Sequence, residues 1–248
     1  MSTIYILWLR QLKRYFRSRA RMIGSLGQPI LFLVALGFGL GPVYEKAGGG
    51  NYISFLSPGI IGMSILFTAM FSGIEVIWDR QFGFLKETLV APVSRFTIMF
   101  GRTLGGATVA MLQGCLVFII SFAIGFRPVS WATLPLAFVF MFLIAFLFTA
   151  FGTALASRLE DMQGFQLIMN FVIMPIFFLS GALFPIEGTS TILSTIASLN
   201  PLSYGIDGLR GVFIGVSHFG LAVDLGILSV ITLIFLVLGS YLFSKIEI

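Results

Sequence analysis

Apolar runs of about twenty residues or more follow one another along this chain, separated by polar stretches too short to fold on their own. They lie near 22–41, 54–78, 97–125, 133–156, 165–184 and 221–243. A helix needs about 20 mostly apolar residues to cross a bilayer. Hydrocarbon leaves no water for backbone groups, so a spanning segment must satisfy its own hydrogen bonds, as a helix does. Composition agrees. Charged residues make up 10% of the chain and apolar ones 58%, with mean hydropathy +1.03; soluble domains carry about 25% charged residues. These totals exclude a soluble globular fold and a disordered chain. The predicted fold is an all-α integral membrane protein, one domain over 1–248 with six transmembrane helices. Any ATPase, receptor or enzyme domain is expected on another chain.

The net charge of +5 and pI near 9.7 would suit a nucleic-acid binder, but the basic residues collect at the N-terminus and in short loops. Membrane topology explains them better. With the N-terminus inside, twelve of the fifteen lysines and arginines fall on inner segments. Lys46, Arg127 and Arg210 remain outside. The expected topology therefore has both termini cytoplasmic. The first apolar run lacks a small-residue cleavage site and reads as a retained span. Cys115 sits in an apolar run and His218 in a loop, so no disulfide, metal set or acid–base constellation is expected.

Four polar features remain. Residues 4–21 read as an amphipathic helix, with Ile4, Tyr5, Trp8, Leu9, Leu12, Tyr15 and Phe16 on one arc. Arg10, Lys13, Arg14, Arg17 and Arg21 share the other; Ile6, Leu7 and Arg19 break the pattern. Such a helix suits the membrane interface. Residues 79–95 form a long polar break whose aromatic anchors, rimmed by charge, fit either a docking surface or an interfacial helix. The stretch 185–220 is too interrupted to span and too apolar for a free loop, so it reads as re-entrant helices buried against the bundle. Within it Ser203 is a candidate cap, and Asp207 and Arg210 are spaced to pair. Inside the spans, Glu75 and Arg102 lie near inner ends and are expected to snorkel. Asp224 opens the sixth span, and no ionisable residue lies at a predicted midplane, which counts against an ion-coupled pump. Gln113, Gln166 and Asn170 read as interhelical polar contacts. Met63, Phe67 and Phe71, and Met174 with Phe178, recur at helical spacing, as packing stripes or adaptable apolar surfaces.

Three stretches together carry a resemblance. The first is the amphipathic N-terminal helix. The second is Asp79-Arg80-Gln81-Phe82-Gly83-Phe84-Leu85-Lys86 with Leu89-Val90-Ala91-Pro92-Val93-Ser94-Arg95. The third is Phe178-Leu179-Ser180-Gly181-Ala182-Leu183-Phe184-Pro185, followed by Asn200-Pro201-Leu202-Ser203-Tyr204 and Asp207-Gly208-Leu209-Arg210. In this order they resemble the type-2 ABC transporter permeases, most closely the daunorubicin-resistance-type exporter membrane subunits; Gln81 replaces the usual Glu of the second motif. The resemblance covers essentially the whole chain. It implies two permease copies, as a homodimer or with a paralogue, and two copies of a soluble ATPase subunit that holds ATP and Mg, with no cofactor or catalytic residue on this chain. It implies a cytoplasmic coupling helix that touches the ATPase through Asp79, Arg80, Gln81, Phe82, Gly83, Phe84, Leu85, Lys86 and Glu87. Beside it would lie a connecting helix carrying Arg10, Lys13, Arg14 and Arg17. The substrate pathway would draw on Met63, Phe67, Phe71, Asn170, Met174 and Phe178. An outer gate would draw on Phe184, Pro185, Asn200, Pro201 and Tyr204. The location implied is a prokaryotic cell membrane, among lipid and without nucleic acid. The expected function is export of an amphipathic drug-like or lipid-like molecule. A lipid-linked glycan exporter is the alternative; a secondary transporter or an intramembrane enzyme lacks the ionisable or nucleophilic residues it needs.

Overall fold

The computed structural model describes residues 2–84, 92–159, 161–186 and 188–245. Leu85, Lys86 and Glu87 lie outside the described residues. Every regular element among the described residues is helical. In chain order these are α1 (Thr3–Arg17), α2 (Arg19–Lys46), α3 (Tyr52–Ser72), α4 (Ile74–Gln81), α5 (Arg95–Ile124) and α6 (Leu134–Ala156). After them come α7 (Met162–Phe178), α8 (Thr191–Leu199), α9 (Pro201–Ile214) and α10 (Leu221–Ser244).

Local chemistry sets most boundaries. Asn51, Ser94 and Asp161 each accept a hydrogen bond from the backbone three residues on and so cap α3, α5 and α7. Gly125 closes α5 with φ of 120°, where a side chain would be strained. Asn200, not Ser203, caps α9: its Oδ1 accepts from Leu202 N, and Pro201 fills the first helical position, where no N–H is needed. The helix therefore starts three residues earlier than a Ser203 cap would place it.

Among the described residues five helices are long and apolar enough to cross a membrane: α2, the continuous α3–α4, α5, α6 and α10. With seventeen residues, α7 is shorter than the expected 165–184 span. It starts early at the Asp161 cap and ends at Phe178, ahead of Gly181, whose φ is 76°. Its middle, Met169–Ile173, is a single widened π turn just before Pro175. Proline cannot donate to the preceding turn and its ring crowds the carbonyl four residues back, so a widened turn there relieves the clash. The first span also runs longer than expected. α2 continues to Lys46, absorbing Pro42 and half of the loop expected over 42–53.

α3 forms the centre, with 72% of its most apolar window buried, against 17% for α2 and α10 on the outside. Small residues let backbones meet. A Cβ on Gly73, at the α3–α4 junction, would strike the Gly152 carbonyl of α6. Gly73 has ordinary helical geometry (φ −63°), so in an open helix alanine would help by about 1 kcal/mol. Here Gly73→Ala is expected to destabilise by about 1–3 kcal/mol through overpacking. Thermal unfolding in detergent checks it, and a stabilised variant would refute the contact.

Candidate functional site

α1 does not lie free on a surface. It packs along α5, where Gly101 and Gly105 leave room for Leu7 and Gln11. Trp8 Nε1 donates to Thr108 Oγ1 at 3.0 Å, and Tyr15 OH donates to Gln113 Oε1 at 2.6 Å. Burial pushes the Tyr15 phenol above its ordinary pKa. Leu7, which breaks the simple amphipathic arc, is buried because the contacting stripe is Ile4, Leu7, Trp8, Gln11 and Tyr15, the seam of a packed helix.

The other side of α1 meets α4 through charge. Asp79 is buried and accepts from Arg102 at 2.5 Å and from Arg10 at 3.1 Å. Glu75, also buried, pairs with Arg21 at 3.3 Å and Arg14 at 3.5 Å. Both arginines lie over the Trp78 ring, 5.8 and 5.4 Å from its centre. Arg80 donates to the carbonyls of Ser157 and Leu159 at 2.7 and 3.0 Å, tying α4 to the end of α6. One expectation changes. Glu75 and Arg102 do not snorkel; they are buried and paired. Asp79 is buried and Arg80 half-buried, and together they clamp α1, α4, α5 and the end of α6. Charges at a helix end need partners, and the packed α1 supplies them or closes them off from water.

The outward part of the motif begins at Gln81. The helix ends there, Gly83 takes φ of 79°, and Phe82 and Phe84 stand 72% and 52% exposed. Between this turn and α1 lies an open groove of about 750 Å³. Its walls include Tyr5, Ile6, Leu9, Phe82 and Phe84, and its basic rim Arg10, Lys13, Arg14 and Arg17. This places the four connecting-helix candidates along one groove, where Arg10 pairs with Asp79 and Arg14 with Glu75.

The pathway candidates separate. Met63 is buried in the core. Phe67 packs edge-on against Phe177 at 6.1 Å. Met174 is half-buried, while Phe71, Asn170 and Phe178 are exposed; Asn170 lies within the widened turn and Phe178 at the end of α7. Phe71 also lines a cavity of about 310 Å³ behind the charged cluster, with Tyr15, Arg21, Glu75 and Trp78.

At the opposite end, Asn200 Nδ2 donates to Ile176 O at 2.6 Å and Tyr204 OH to Ser198 O at 2.6 Å. Pro201 is half-buried, as is Pro185, and Phe184 is 37% exposed. Asp207 and Arg210 do not form the expected direct pair. Asp207 instead accepts from Ser217 Oγ and from the backbone of His218 and Phe219, at 2.8–3.0 Å. Arg210 donates to Gly181 O at 3.0 Å and stacks 3.9 Å from the Phe55 ring centre. Burial lowers its pKa to about 10, opposed by the field of Asp207, so it stays cationic at neutral pH. Among the described residues no group of three or more His, Cys, Asp or Glu could hold a metal ion.

The family profile described as ABC-2 type transporter matches residues 2–214. The chain belongs to that family. Among relatives of this ABC-2 transporter, a ycf38 transport permease of Porphyra purpurea is 32% identical over 86% of the chain and 74% of the relative. The ycf38 permease of Cyanophora paradoxa is 29% identical over 99% and 89%. Nodulation protein J of Rhizobium leguminosarum bv. trifolii is 29% identical over 85% and 78%. The chain is thus a multi-pass membrane subunit of an ABC transporter. Arg21 and Trp78 of this permease carry part of its charged cluster although no sequence motif marks them. A basic residue and an interfacial tryptophan flank many spans, and only the fold brings them to Glu75.

Proposed function

We propose that this chain is the membrane half of an ATP-driven exporter, and that the Phe82–Phe84 turn with the α1 groove is its ATPase contact. One observation carries the reading. Two exposed aromatic side chains project from a helix end whose preceding turn is anchored by Asp79 and Arg80. A helix held at its base transmits displacement, because packed elements shift between discrete arrangements. The same base binds α1, so a push on the turn reaches α5 and α6 directly. Phe82, Gly83 and Phe84 then act as the tip, with Leu85, Lys86 and Glu87 continuing it. Asp79 and Arg80 act as its root, and Gln81 joins the two.

In this reading α7 is the sixth span. At about 1.5 Å per residue its seventeen residues reach roughly 26 Å, close to the ~30 Å hydrocarbon core, and the turns beyond Phe178 supply the rest. Both termini and the charged cluster face the cytoplasm of a prokaryotic cell; the excess of lysine and arginine on the inner segments supports that orientation. Two copies of the chain pair, each with one ATPase subunit that binds ATP and Mg. The exposed Phe71, Asn170 and Phe178 face the pathway between copies, while Phe184, Pro185, Asn200, Pro201 and Tyr204 close its outer end. The transported molecule is amphipathic, in keeping with apolar spans whose described acidic residues sit near helix ends.

Phe82→Asp with Phe84→Asp tests the contact. The variant is expected to insert and unfold like the parent while co-purification of an ATP-binding chain falls to background. Retained association at parental levels would sink the assignment.

A further inference from the structure

Among the described residues the charged cluster is short of acid. Four arginines (Arg10, Arg14, Arg21 and Arg102) share two carboxylates, Asp79 and Glu75. Lys13 and Arg17 add two cations one helical turn apart, and neither has an acidic partner among the described residues. Between them stands Phe16, 57% exposed. Together with Leu9 and Leu12 these residues line an open concavity of about 520 Å³ on the flank of α1. The membrane-spanning α2 begins two residues after Arg17. Lys13 and Arg17 therefore sit where a span leaves the hydrocarbon, at the depth of lipid headgroups. A basic cluster in that position attracts anionic lipid, and an apolar face between the cations receives an acyl chain.

We propose that Lys13 and Arg17 bind the headgroup of an anionic phospholipid whose acyl chain lies along Leu9, Leu12 and Phe16. The site divides the basic face of α1 by task. Arg10, Arg14 and Arg21 hold α1 to α4 through protein carboxylates. Lys13 and Arg17 hold it to the membrane, and the lipid phosphate supplies charge that the cluster lacks. An acidic protein segment is a competing occupant. Leu9, Lys13 and Arg17 border both this concavity and the groove beside Phe82 and Phe84, but Phe16 and Leu12 line only the concavity, and this apolar flank favours lipid. The inference stands whether or not the chain exports anything.

Native mass spectrometry of the purified full chain in neutral detergent tests it, with dioleoyl phosphatidylglycerol and dioleoyl phosphatidylcholine as probes. The parent is expected to retain phosphatidylglycerol preferentially. Lys13→Gln with Arg17→Gln should weaken that retention by roughly thirtyfold, from about fivefold per cation, leaving phosphatidylcholine unaffected. Lys13→Arg with Arg17→Lys should keep the preference, which separates lost charge from a damaged helix. A parent without preference, or a glutamine variant that keeps it, overturns the site. So does a glutamine variant that keeps the lipid preference but loses a co-purified ATP-binding chain, since the two cations would then serve a protein partner.

Discussion

Asp79→Ala is expected to cost this permease about 3–5 kcal/mol of stability, because it strands a buried arginine. The side chain of Arg102 is 4% exposed and that of Asp79 6%. Their 2.5 Å contact is what keeps the Arg102 charge tolerable inside the bundle. Removing the carboxylate leaves a buried guanidinium without its hydrogen-bonded acid, opposed only at longer range by the field of Glu75 among the described residues. Arg10→Ala removes the second arm of the same carboxylate, but the side chain of Arg10 is 43% exposed, and an exposed pair contributes about 0–1 kcal/mol. A large gap between the two single variants is therefore expected. Asp79→Leu with Arg102→Met should recover most of the loss, since replacing a buried pair by apolar residues of similar size is often neutral or better. Thermal unfolding in detergent micelles measures all three. Equal losses for Asp79→Ala and Arg10→Ala, or no recovery in the double variant, would show that burial does not set the energetics of this cluster.

This cluster also marks the limit of what the sequence made legible. Apolar run length located α5, α6 and α10 within a residue or two of their ends, because hydrocarbon thickness and backbone satisfaction dictate those lengths. Pairing across helices has no such local signal. Asp79 meets an arginine 23 positions later and another 69 positions earlier, and Glu75 meets one 54 positions earlier. Which face of α4 turns inward depends on Gly73 and Gly152 drawing α4 and α6 together. Read as a motif, Asp79 and Arg80 look like a polar surface; read in the bundle, they are its fastening, and the exposed part begins at Gln81. Leu7 shows the same limit on a smaller scale. Its place in the arc looks wrong until the glycines of α5 define the seam that receives it.

Asp207→Ala is the second large effect expected, about 3 kcal/mol, and it tests the outer end. The carboxylate gathers Ser217 Oγ and the backbone N–H groups of His218 and Phe219, so it holds the link between α9 and α10. A hydrogen bond to a charged group contributes about 1.5–3 kcal/mol, and alanine removes those from Ser217, His218 and Phe219, which are part-buried and so lie at the low end of that range. Arg210→Ala damages a different contact, releasing Gly181 O and uncovering Phe55. If the two residues were partners at i and i+3, each single change would already break the shared interaction, and the double variant would lose little more. Separate partners predict instead that the double loss approaches the sum, within about 1 kcal/mol for two close charges. Denaturation of the four proteins of this cycle in micelles decides between the two. A double variant no less stable than Asp207→Ala alone would restore the ion pair that their spacing suggests. A near-additive result would fix Asp207 as the anchor of the α9–α10 link and leave Arg210 bridging α9 to the turn after α7.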